Sequence, residues 1–78
     1  NAEDFDFNQT DLLTVLKRLK DVYAIDILLK NKSMRHCLFT GNLNGLELAE
    51  QLDLICKTID ATFQKHETAI WIEGEGCP

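Results

Sequence analysis

Two segments with a helical apolar period, each set between segments in which apolar and polar residues alternate, constrain this chain more than any other feature. Leu12, Leu16, Leu19 and Tyr23 recur along one helix face, Val15 and Val22 widen the stripe, and Lys17, Arg18, Lys20 and Asp21 turn away from it. The spacing predicts a first helix from Asp11 to about Val22. Its N-terminal cap is assigned to the Thr10 hydroxyl, with the Asp11 charge suited to the positive end of the helix dipole. Leu48, Leu52, Ile55 and Ile59 form a second stripe at i, i+4, i+7 and i+11, opened by Asn44 and Gly45 as caps, with Glu47, Glu50 and Asp53 in solvent.

The flanking segments carry the period of two that marks half-buried strands. Phe5 and Phe7 alternate with Asp4 and Asp6 in a first strand over Glu3 to Phe7. Ile25, Ile27 and Leu29 alternate with Asp26, Leu28 and Lys30 in a second. After a polar turn or loop over Lys30 to Arg35, Cys37, Phe39, Gly41 and Leu43 share one face of a third strand and Leu38, Thr40 and Asn42 the other. Ala61 to Gln64 and Thr68 to Ile72 read as two last strands, joined through Lys65, His66 and Glu67 without the Asn-Gly or Asp-Gly of a tight primed turn. The order is β-α-β, β-α-β, then a last strand. It defines an α+β domain with two helices packed with small sheets, in which the second and third strands are expected to pair. The likeness of the two halves hints at a duplicated unit, with too few copies for a solenoid.

Size and charge narrow the function. A chain of 78 residues is one small domain, and folding at this size hides only about 60% of the unfolded surface, which disfavours a large enzyme cleft. A formal charge of −5 repels phosphate backbones, so no nucleic acid is expected as a partner. The longest apolar runs, Val22 to Ile25 and Ala69 to Ile72, fall far short of the roughly 20 residues of a membrane span, so this fragment is expected to make no membrane contact. Asn1 and Ala2 are read as the remnant of a cleaved expression tag and residues 3–78 as a single domain. No signal peptide pattern is visible, and the targeting information is expected upstream of an excised fragment.

The reactive side chains offer little chemistry. Three Cys and two His include no C-x-x-C or H-x-x-x-H pair, and adjacent His36 and Cys37 diverge to opposite faces of a strand, so no metal ligands are assigned. Cys37 with His66 is the one pair to weigh as nucleophile and base, against a buried or disulfide-bonded Cys and a solvated His in a turn. Gly41, Gly45, Gly74 and Gly76 lack the spacing that cradles a nucleotide, so no cofactor is expected, and the carboxylates lie on solvated faces. No catalytic residue is assigned. Cys56 beside the second stripe reads as a small buried apolar residue. Cys37 on a central strand and Cys77 in a mobile tail are a candidate disulfide, which implies an oxidising compartment.

What remains is apolar surface. If Ile25, Ile27, Phe39, Ile70 and Ile72 face the helices, then Leu28, Leu38 and Trp71 point the other way. They form a candidate partner-binding surface unless a second sheet or the tail covers them. Edge strands in so small a sheet also suit partner binding by strand addition.

The skeleton as a whole is Phe5-Asp-Phe-Asn8, Leu12-x-x-Val15-Leu16-x-x-Leu19, Tyr23-Ala-Ile25-Asp-Ile27, Phe39-Thr40-Gly41, Leu48-x-x-x-Leu52-x-Leu54-Ile55, and Ile70-Trp-Ile72-x-Gly74-x-Gly76-Cys77. It resembles the C-terminal periplasmic domain of FecR-type anti-sigma factors, of the kind found in Bacteroides and its relatives. Phe39-Thr40-Gly41 and the Gly76-Cys77 ending are its most diagnostic parts. Thr10-Asp11 stands where such domains have Thr-Pro, and Gly45 where Asn is common.

The resemblance implies a non-catalytic relay in cell-surface signalling and transcription regulation. Such a regulator crosses the inner membrane once and holds a sigma factor through a cytosolic segment that this chain lacks. Its periplasmic end binds the N-terminal signalling domain of a TonB-dependent outer-membrane receptor. Related short domains of receptors and secretins pack two β-α-β units with helices between small sheets. The alternatives are the receptor's own signalling domain or a secretin N-terminal domain and, in a different class, a small thiol-dependent enzyme.

Overall fold

A computed structural model describes residues 4–77. The expected tag remnant at Asn1 and Ala2, and the expected strand start at Glu3, lie outside the described residues. The elements run β1 (Asp6–Asp11), α1 (Leu12–Tyr23), β2 (Asp26–Leu29), a short 3-10 helix (Lys32–His36), β3 (Leu38–Asn42), α2 (Leu48–Thr58), β4 (Thr62–His66) and β5 (Ala69–Glu73). This is the α+β order of two strand-helix-strand units and a last strand.

Each unit starts in one sheet and ends in the other. β1 and β3 form an antiparallel pair, while β2 and β4 are the edges of a second sheet ordered β2-β5-β4. The expected pairing of the second and third strands is therefore wrong. β2 runs parallel to β5, with Ile27 opposite Ile70, and β3 runs antiparallel to β1, with Leu38 opposite Asp11. A period of two assigns each residue to a face but names no neighbour. The better signal was the unbroken apolar run of Ala69 to Ile72, which suits the strand that is paired on both sides.

β1 lies later than the alternation suggested because the chain bulges between Phe7 and Thr10, where Gln9 takes a φ of 47° and donates its N–H to the Thr40 hydroxyl at 2.8 Å. The bulge keeps Phe5 and Phe7 in the core while Thr10 pairs with Phe39. Thr10 is thus a ladder residue, and Asp11 is the cap of α1, accepting from the Thr14 N–H at 3.2 Å and the Thr14 hydroxyl at 3.0 Å. Strand passes into helix without a linker, and the Leu12 N–H finds the Cys37 carbonyl at 2.7 Å.

α2 starts at Leu48, past the Asn44 and Gly45 of the sequence reading. Its first turn is closed by Glu50, which accepts from the Glu47 N–H at 3.1 Å. Asn44 instead holds the N-terminal strand. Its Oδ1 accepts from the Phe5 N–H, and its amide donates to Asp4, holding that carboxyl below the usual range. The hairpin between β4 and β5 is tighter than expected, since His66 pairs with Ala69 and only Glu67 and Thr68 turn. Glu67 supplies the left-handed φ of 56° without a glycine. Leu12, Val15, Leu16 and Leu19 of α1 and Leu52, Ile55, Cys56 and Ile59 beside α2 meet Phe39, Leu43, Ile70 and Ile72 in one core.

Candidate partner-binding surface

The three-stranded sheet turns Ile27, Ile70 and Ile72 into the core, so strand alternation sends Leu28 and Trp71 to its outer face. Register makes them neighbours. Leu28 lies opposite Trp71, and Trp71 lies opposite Gln64 on its other side. Leu28 is 37% exposed and Trp71 is half-buried, so the row is an accessible apolar strip ending in an amide. Thr62, Gln64, His66 and Glu73 around it are exposed, and His66 Nε2 lies 3.3 Å from the Gln64 Oε1. An indole offers a large flat area and one N–H donor at small entropic cost, which is why Trp anchors so many interfaces.

Leu38 is placed elsewhere. It is the most open of the large apolar residues at 57%, but it lies on β3 of the two-stranded sheet, so no register joins it to Leu28 and Trp71.

The tail is fastened where a mobile segment was expected. Asn31 caps the 3-10 helix by accepting from the Ser33 N–H at 3.1 Å, and its amide donates to the Gly74 carbonyl at 3.2 Å and the Glu75 carbonyl at 3.0 Å. Beyond these bonds the structure joins Cys77 to Cys37 by a disulfide, with Cα atoms 5.3 Å apart. Gly76 has a φ of 96° and lies so close to Ser33 that a Cβ would meet its hydroxyl oxygen at 2.7 Å. The polar run over 30–35 therefore hides a structural job: its 3-10 helix buries Met34 and receives the tail. The Asn31-x-Ser33 spacing, an Asx-turn signature, was the signal that could have shown it.

The same geometry leaves no activated thiol among the described residues. Cys37 is buried and bridged, while His66 faces outward beside Gln64, so the two form no dyad. Burial, aided by Asp53, pushes the free Cys56 thiol up to about 11, away from the range in which a thiolate attacks. No cluster of three or more potential metal ligands occurs among the described residues. A buried residue that patterning missed is Gln51, 1% exposed. It lies three positions after Leu48, on the apolar stripe, and a polar residue there signals a satisfied network.

The same fold is found in two crystal structures of a proposed anti-sigma factor from Parabacteroides distasonis ATCC 8503, at 1.65 and 2.50 Å resolution. Their TM-scores are 0.80 and 0.83, each at 20% sequence identity, over 96% and 94% of this chain. This chain spans about a third of those proteins, 34% of each. No curated protein matches the sequence. The family model of the FecR C-terminal region matches residues 4–72. The chain belongs to the FecR C-terminal family.

Proposed function

We propose that this domain is a non-catalytic periplasmic relay module of a single-span inner-membrane anti-sigma regulator. It binds the N-terminal signalling domain of a TonB-dependent receptor and passes receptor occupancy to a sigma factor held by a cytosolic segment outside this chain. The observation that carries the reading is the family match over 4–72. The Leu28–Trp71 row supports a protein partner, because a paired apolar strip on an open sheet face is surface that association can bury. The Cys37–Cys77 bridge supports an oxidising compartment.

A cellular test places Trp71→Ala in the full-length regulator and follows a sigma-dependent reporter. Loss of induction by the receptor's ligand, at an unchanged protein level, is the expected result. Full induction by Trp71→Ala and Leu28→Ala together removes this surface from the relay.

A further inference from the structure

The order β2-β5-β4 leaves one edge of β2 unpaired, and that edge borders a groove rather than open solvent. The Lys30 N–H donates to the Ile72 carbonyl at 2.9 Å. The alternation of a parallel ladder then turns the main chain of Leu28 toward β5, and that of Ile27 and Leu29 toward the free edge. The groove holds about 240 Å³ between this edge, Leu13 and Leu16 of α1, and Lys32 and Arg35 of the 3-10 helix. Leu13 is 41% exposed, an apolar wall without a cover.

Charge decides what suits the site. The chain carries a net −5, yet among the described residues the ionisable side chains that line this groove are the cationic Lys32 and Arg35. Asp26, the carboxylate on β2, is already paired with Lys20 at 3.4 Å. We propose that the β2 groove takes an extended, acidic segment of a partner protein as an added strand. Its main chain would pair with Ile27 and Leu29. Its apolar side chains would meet Leu13 and Leu16 on one face and lengthen the Leu28–Trp71 row on the other. Its carboxylates would lie near Lys32 and Arg35. Strand addition draws affinity from main-chain bonds and specificity from such flanking groups. The inference deepens the relay reading, on which it rests for the identity of the partner.

The test needs no receptor. The probe is a blocked peptide of about eight residues, a typical strand length, alternating valine and glutamate, titrated into isotope-labelled domain while backbone amide resonances are followed. Saturable shifts at Ile27 and Leu29 are expected, with binding about tenfold weaker for the valine-lysine counterpart at low salt. The double variant Lys32→Glu, Arg35→Glu should reverse that preference. No saturable shift, equal response to both peptides, or shifts confined to β1 or β4 would overturn the proposal. So would concentration-dependent shifts at Ile27 and Leu29 without peptide, which would make the occupant a second copy of this chain. Failure here leaves the relay reading standing on the Leu28–Trp71 face, and failure to bind any receptor domain leaves the peptide result standing.

Discussion

The Tyr23 hydroxyl donates to the Gln51 Oε1 at 2.9 Å, and Gln51 passes the chain on from Nε2 to the Leu43 carbonyl at 2.9 Å. One buried amide thus ties the end of α1 to α2 and to the turn that follows β3. Gln51→Ala strips the Leu43 carbonyl of its shorter bond, leaving it the Leu46 N–H at 3.4 Å, and opens a cavity, and a loss of about 2–3 kcal/mol is expected in urea unfolding. Tyr23→Phe should cost about 1 kcal/mol or less, since water can reach the partly exposed ring edge. Equal losses from the two variants would contradict this division.

The Cys37–Cys77 bridge closes a loop with a sequence separation of 40. The chain-entropy account then gives about 3–4 kcal/mol of stabilisation, lost on reduction or in Cys77→Ser. Mass spectrometry of the non-reduced protein should find one free thiol, Cys56. Three free thiols after oxidising preparation would refute the bridge.

Gly76→Ala combines a positive φ with a Cβ 2.7 Å from the Ser33 hydroxyl. A loss of about 1–2 kcal/mol is expected. Ser33→Ala in the same chain should restore only the steric share, because the backbone penalty at φ 96° remains. Full rescue by Ser33→Ala, measured as unfolding midpoints, would show that backbone strain contributes nothing.

These contacts mark where the sequence stops being legible. Both helices follow from their stripes, and the inward positions of Ile27, Phe39, Ile70 and Ile72 follow from alternation, because periodicity reports which side of an element meets the core. It does not report neighbours, so alternation allows β2 to pair with β3, whereas the apolar β5 lies between β2 and β4. Nor does it see side-chain bonds that bridge distant positions. Asn31 reaching Gly74 and Glu75, and Asn44 reaching Asp4 and Phe5, span gaps that no local pattern encodes. For the candidate surface, Leu28 and Trp71 were legible as outward residues, but their adjacency depended on the strand order, which also separates Leu38 from them.

Cys56 makes stability depend on alkaline pH in a definite direction. Burial, then Asp53, raises its thiol from 9.0 to about 11, so between those values the unfolded chain releases a proton that the folded chain keeps. The contribution is complete below pH 9.0 and is lost as pH rises toward about 11, at up to about 1.4 kcal/mol per pH unit. The difference between wild type and Cys56→Ala should carry this slope, because the other alkaline groups are common to both. A pH-independent difference would place the thiol in water.

The central claim is that the outer face of the three-stranded sheet receives a receptor signal. Its most direct test titrates the oxidised domain with the N-terminal domains of TonB-dependent receptors encoded beside its gene. Saturable binding to one of them is expected, weakened about tenfold or more by Trp71→Ala and little changed by Leu38→Ala. No binding to any receptor domain, with circular dichroism showing the fold intact, would contradict the account.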